Sequence, residues 1–234
     1  IPVFVDSDPC SWNLAVSKIE EKITSKTKAI MPVHVFGLPC EMNEIYRLAK
    51  HYDLKVLEDA AEAHGATYNN KKVGSTSDIT AFSFFANKNI TIGEGGMIVT
   101  NSKYLHEQCK YYKNLCFSLN NNRNYLHKDI GFNYRLSNLH AAIGVAQMEK
   151  ANDYINMRIN NHHNYKSYLK NVPGIHFQNE FNDRKNVYWM NAITIDTQSY
   201  GKNRDQLIQY LKENNVDSRL LFNGMHRQES LKKY

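Results

Sequence analysis

No stretch of this 234-residue chain approaches the roughly 20 consecutive apolar residues of a membrane span, and no signal-peptide pattern opens it. Cysteine is scarce. Cys10, Cys40, Cys109 and Cys116 form no C-x-x-C pair and share no spacing with paired histidines. They exclude a disulfide framework and a zinc site, and they fit the reduced thiols of a cytoplasmic protein. The adjacent His162 and His163 point to different faces of a helix, which argues against a metal pair. A long basic block is also missing, since the charge of +6 is spread over 29 basic and 23 acidic residues. That distribution suits an anionic small ligand at least as well as a nucleic acid. Finally, Gly93-Glu-Gly-Gly96 is not a full G-x-G-x-x-G and precedes a strand rather than joining strand to helix, so a dinucleotide site is rejected.

What is present is a 42% apolar composition, rich in tyrosine and phenylalanine, that can pack a core in one large domain or one and a half. Strands are expected over 1–5, 28–36 and 54–57, with helices over 14–23 and 42–51 between them. Strands alternating with helices of ten or so residues mean βαβ units and an α/β fold on a mostly parallel sheet. Opening directly on a strand suggests that the chain lacks its natural front end. In such sheets ligands gather at the carboxyl ends of the strands.

Two segments sit at such ends. A β-rich run from Ile79 to Phe85 stops at Asn87-Lys88-Asn89, and glycines follow before a second apolar run, Met97 to Thr100. Lys88 thus stands at the mouth of two strands, with Ser83 before it. A strand-end lysine is ordinarily solvated; one held off water can lose its proton and condense with an aldehyde, as in the anchoring of pyridoxal phosphate (PLP). The strand over 54–57 delivers Glu58-Asp-Ala-Ala-Glu-Ala-His-Gly65. Asp59 either caps a helix or faces a ligand, where it could pair with a protonated pyridine nitrogen. Glu62 would lie on its side if the segment turns helical. His64 is given no catalytic role.

Taken together, Glu58 to Gly65, Val73-Gly-Ser75, Ser83-Phe-Phe-Ala-Asn-Lys88, Gly93 to Gly96 and Gly131-Phe-Asn-Tyr-Arg-Leu-Ser-Asn138 with Ala141-Ala-Ile-Gly144 resemble the DegT-like nucleotide-sugar aminotransferases, especially their perosamine-synthase branch. The resemblance runs in order over essentially the whole chain. It implies a fold-type I PLP enzyme: a mostly parallel central sheet with helices on both faces, plus a smaller α/β C-terminal domain. It further implies that Lys88 binds the cofactor covalently and moves the proton, Asp59 pairs with the pyridine nitrogen, Glu62 lies near the cofactor hydroxyl and Ser83 binds the phosphate. Asn133 would reach the phosphate of the other subunit's cofactor, so a homodimer with a shared site is expected. His226 either faces the sugar or is a loop histidine. The implied reaction carries an amino group from L-glutamate to a nucleotide-linked keto-deoxysugar destined for cell-surface polysaccharide. Two other readings stay open: an inactive PLP-fold fragment or binding module, and the family's sugar dehydratases, in which histidine replaces the lysine. Lys88 argues against the latter.

Further along, 103–117 reads as amphipathic and 118–125 as an asparagine-rich surface loop. A long helix is expected over 139–169 and a junction at Pro173-Gly174. Strands over 188–195 and 216–222 flank a helix over 204–213. Residues 1–150 are accordingly read as a large PLP-binding domain lacking its N-terminal part, and 151–234 as a linking helix and an incomplete small domain. Asn223-Gly-Met-His-Arg-Gln228 departs from the perosamine-synthase pattern Phe-x-Pro-x-His-x-Gln-Pro by lacking both prolines, which bears on sugar identity rather than chemistry.

Overall fold

A computed structural model describes residues 1–118 and 125–233; the asparagine-rich stretch Asn120 to Asn124 lies outside the described residues. The first half contains β1 (Ala29–Ile30), α1 (Met42–His51), β2 (Lys55–Asp59), β3 (Thr67–Tyr68), β4 (Lys71–Lys72), β5 (Ile79–Ser83), β6 (Gly96–Val99) and α2 (Lys103–Lys113). The helices α3 (Asn138–Glu149) and α4 (Ala151–Leu169) follow. Beyond them come β7 (Ile175–Phe177), β8 (Arg184–Lys185), β9 (Ile193–Ile195), α5 (Thr197–Tyr200) and α6 (Arg204–Glu213). The central sheet runs β1-β2-β5-β6, with the first two pairings parallel and the last antiparallel. This is the expected α/β architecture on a mostly parallel sheet.

Apolar spacing explains the first layer. Met42, Ile45, Leu48 and Ala49 recur at helical intervals and are buried against Ile30, Leu54 and Val56. In β2 the alternation of the pleat buries Val56 and Glu58 on this side and turns Lys55, Leu57 and Asp59 to the other. Pairing places Asp59 opposite Ala81, so Asp59, Ala81 and Ser83 share one sheet face. The β3–β4 hairpin closes through Asn69 and Asn70, both at positive φ (46° and 62°), as a two-residue turn of this type requires.

The two halves are joined by backbone pairing and polar staples. β8 pairs antiparallel with β3, Thr67 opposite Lys185 and Tyr68 opposite Arg184. Gln178 donates from Nε2 to the carbonyls of Ser11 (2.6 Å) and Val35 (3.1 Å), and Asn186 donates to its Oε1 (3.0 Å). The N–H groups of Val187 and Trp189 donate to the carbonyls of Gly37 and Phe36.

Several expected elements differ. Residues 1–5 form no strand; the chain first pairs through an isolated bridge between Ser7 and Leu14. The expected helix over 14–23 is two 3-10 turns, Val16–Lys18 and Glu20–Lys22. The strand expected over 28–36 ends at Ile30. Pro32 has no N–H for a ladder, and Phe36 adopts φ 56° inside a 3-10 turn, Val35–Gly37. The helix from Lys103 stops at Lys113, because Leu115 and Cys116 turn left-handed. The long helix breaks at Lys150 (ψ 12°), which ends α3 and starts α4. Tyr188, at φ 46°, confines the next strand to Ile193–Ile195, paired with β7. Residues 216–222 carry no strand.

Ile45 is fully buried between α1 and the sheet. Ile45→Ala is expected to cost about 2–5 kcal/mol of stability, read as a lower urea midpoint without a change of slope.

Candidate functional site

Glu58 and Asp59 are neighbours with opposite fates. Glu58, 3% exposed, accepts hydrogen bonds from His34 Nε2 (2.9 Å), the Gly74 N–H (3.1 Å), Tyr46 (3.3 Å) and the Ser77 hydroxyl. Burial alone would raise this carboxyl, but the donors outweigh it and hold Glu58 below the usual carboxylate range. The Glu58 carboxylate favours a proton on His34, yet the Cys40 backbone N–H donates into Nδ1 (3.1 Å) and leaves no place for a second one. His34 is therefore the neutral tautomer with its proton on Nε2.

Asp59 ends β2 on the other face, and its Oδ1 accepts the Ala61 N–H (3.0 Å). No helix follows. Residues 60–66 run through turns in which Ala60, Ala63 and Ala66 are fully buried against Ile155 and Val187. The capping alternative for Asp59 is thereby removed, and so is the helical route by which Glu62 was expected to reach its side. Glu62 arrives through the turns instead. Its Oε2 accepts the Phe36 N–H (2.7 Å), and its Oε1 lies 3.9 Å from Lys88 Nζ.

Lys88 follows β5 in a turn closed by its own N–H on the Phe85 carbonyl (3.0 Å). The Lys88 side chain is 11% exposed, with Nζ 3.8 Å above the centre of the Trp189 ring. Burial lowers its proton affinity, while Glu62 and Asp59 oppose that shift. Glu62 is raised by burial, against the pull of the Phe36 N–H and Lys88. The structure thus brings Lys88, Glu62 and Asp59 into one electrostatic group. Ser83 shares the Asp59 face, and its Oγ accepts the Phe85 N–H (3.2 Å). Two of the glycines after Lys88 are needed by close approach of the chain to itself. A Cβ on Gly95, at φ 156°, would lie 2.5 Å from Ile92, and one on Gly96 2.9 Å from the Phe82 carbonyl.

Asn133 and His226 are not gathered there. Asn133 is exposed, bridges to Asn114 and accepts from Arg135 Nε (3.0 Å). His226 lies in the 3-10 turn Met225–Arg227 with its ring edge-on to Phe4. Two residues at the site went unread in the sequence: Trp189, which was placed in a strand, and Phe36. Both lie far from Lys88 in sequence, among apolar neighbours that read only as core, so neither carries a local signal. His64 packs between Phe82 and Phe84, and its Nε2 is buried without a partner.

Burial, with Lys88 adding to it, pulls His64 down to about 4. The folded value lies below the ordinary 6.5, so the unfolded chain binds the proton first as pH falls. The stability this neutral ring contributes is complete above pH about 6.5 and is lost on descending toward about 4, on the order of 3 kcal/mol in all. Urea midpoints should fall across that window, and His64→Phe should flatten the fall.

Set beside known proteins, residues 1–234 match the model of the DegT/DnrJ/EryC1/StrS aminotransferase family. The GDP-perosamine synthase of Escherichia coli O157:H7 is 44% identical over 225 residues, 96% of this chain and 60% of that protein. The GDP-perosamine synthase of Caulobacter vibrioides is 40% identical over 226 residues, with the same shares. The crystal structure of S. venezuelae DesV in complex with a ketimine intermediate superposes with a TM-score of 0.90 at 29% identity, covering 99% of this chain and 60% of that one. The chain therefore spans about 60% of the length of these relatives. With a family model matched from its first residue to its last, this chain belongs to the DegT/DnrJ/EryC1/StrS aminotransferases.

Proposed function

We propose that this protein carries out PLP-dependent amino transfer to a nucleotide-linked keto-sugar. The observation that carries the reading is Lys88: an amine withdrawn from water beside two carboxylates, at the end of a strand whose neighbour presents Asp59. The donor set fits the cofactor. It offers one primary amine with lowered proton affinity, carboxylates of Asp59 and Glu62, and the Ser83 hydroxyl on the Asp59 face. Bound PLP supplies an electron sink for the carbon that gains or loses the amino group.

The chain's own groups would divide the remaining work. Lys88 anchors the cofactor and, once displaced, carries a proton at Nζ to and from the reacting carbon. Asp59 keeps the pyridine nitrogen protonated, Glu62 lies by the cofactor hydroxyl and Ser83 binds the phosphate. Asn133, exposed here, is assigned to the phosphate of the other subunit's cofactor, so the working unit is a homodimer with shared sites. His226, edge-on to Phe4, is assigned to the sugar. L-glutamate is the proposed amino donor. A GDP-linked or similar keto-deoxysugar, on the way to a cell-surface polysaccharide, is the proposed acceptor, supported by two GDP-perosamine synthases at 40% identity or more.

Borohydride reduction in the presence of PLP, followed by peptide mapping, is expected to place the label on Lys88, and Lys88→Ala should remove it. Label on another lysine would overturn the anchor assignment. Asp59→Asn should retain PLP yet slow half-transamination by L-glutamate by roughly a hundredfold or more, as loss of a charge-stabilising group does. A rate near that of the parent protein would take Asp59 out of this role.

A further inference from the structure

Lysine side chains usually carry their amine out to water, even where the stem is covered. Lys88 does the reverse. Its Nζ turns inward onto the face of Trp189, a residue from the far side of the sequence that is itself 4% exposed. The indole cannot drift from that position. Its backbone N–H donates to the Phe36 carbonyl (2.9 Å), its Nε1–H donates to the Asn87 carbonyl (2.9 Å), and its ring stacks on Phe36 and Phe222 at centroid distances of 6.2 and 6.4 Å. Asn87 is the residue immediately before Lys88. One side chain therefore grips the lysine twice, by the backbone that precedes it and by the charge at its tip.

We propose that Trp189 is a positioning residue for Lys88: its N–H fixes the turn that carries the lysine, and its π face holds the ammonium in a resting place that the amine leaves in order to react. This deepens the reading of Lys88 as the cofactor anchor and rests on it. The groups facing the ammonium are the carboxylates of Glu62 and Asp59, the neutral imidazole of His64 and the indole. The carboxylates attract the charge from any direction, whereas a ring face favours it in one place only. Glu62 Oε1, at 3.9 Å, is beyond hydrogen-bond range and does not fix the direction of the amine by itself.

The chain has two tryptophans, so Trp12→Phe leaves Trp189 as the sole indole reporter. In that protein, Trp189 emission should show a step as pH rises through the deprotonation of Lys88, and the step should vanish in Lys88→Met. No step, or one that survives Lys88→Met, would overturn the proposal. A second measurement follows reductive methylation of Lys88 by formaldehyde and cyanoborohydride near neutral pH, with exposed Lys50 as the internal standard. Trp189→Leu should speed Lys88 labelling about threefold or more, and Trp189→Phe, which keeps a ring face, should stay within about twofold of the parent. Equal rates in all three proteins would count against the proposal; should Trp189→Leu fail to fold, the emission titration decides alone. Both measurements are made on PLP-free protein, so they report on Lys88 independently of the anchor assignment. PLP labelling at another lysine with the emission step intact would therefore sink the anchor reading and leave the Trp189 contact standing, and the converse pattern would sink the contact alone.

Discussion

The satisfied burial of the Glu58 carboxylate is the constraint on which this half of the molecule depends. An isolated carboxylate taken out of water costs several kcal/mol, and it is tolerated only where donors replace the solvent. Here the four donors come from three separate places: His34 on the loop after β1, Tyr46 on α1, and Gly74 and Ser77 on the segment leading to β5. Each bond fixes one of those segments to the end of β2. The pleat then does the rest. With Glu58 locked inward, Asp59 has no choice but to face outward at the strand's carboxyl end, in line with Ser83 on the paired strand.

The second tier is the partly dry environment around Lys88. Burial pushes the lysine toward its neutral amine and Glu62 toward its neutral acid, while their proximity pulls both back to the charged forms. A group balanced between two such effects can change its protonation readily, which is what the role proposed for Lys88 would need. The Phe36 N–H holds Glu62 still, and Phe36 itself is held at positive φ between Trp12 and Trp189. Backbone strain at Phe36 is thus spent on the site, not on the core.

Some of this could be read before any coordinates. The helices at Met42–His51 and Arg204–Glu213 come out with the expected bounds, because their apolar spacing is regular and the second opens on the Asn203–Gln206 capping box. The positions of Lys88 and Asp59 at strand ends were likewise legible, since each lies in or beside a strand-end motif. The misses have local causes of another kind. Residues 216–222 have strand-like composition but form no strand, and 28–36 were expected to run as one strand through Pro32, which can accept but not donate a ladder bond. Neither the fourfold satisfaction of Glu58 nor the stacking of Trp189 leaves a periodic trace, because the partners are distant in sequence, Phe36 and Trp189 most of all.

Sequence alone determined the family, the α/β class and the placing of Lys88 and Asp59 at strand ends, because those follow from short-range pattern: pleat, helical spacing, and residue type at strand ends. Only the tertiary structure decided which carboxylate became scaffold and which faced the site, since adjacent glutamate and aspartate differ only by the face of the pleat they occupy. It alone decided that Glu62 reaches Lys88 through turns rather than along a helix, and that an indole from the far half of the chain lies beneath the ammonium. These are matters of burial and direction, which arise when distant segments close on one another and which no stretch of sequence carries by itself.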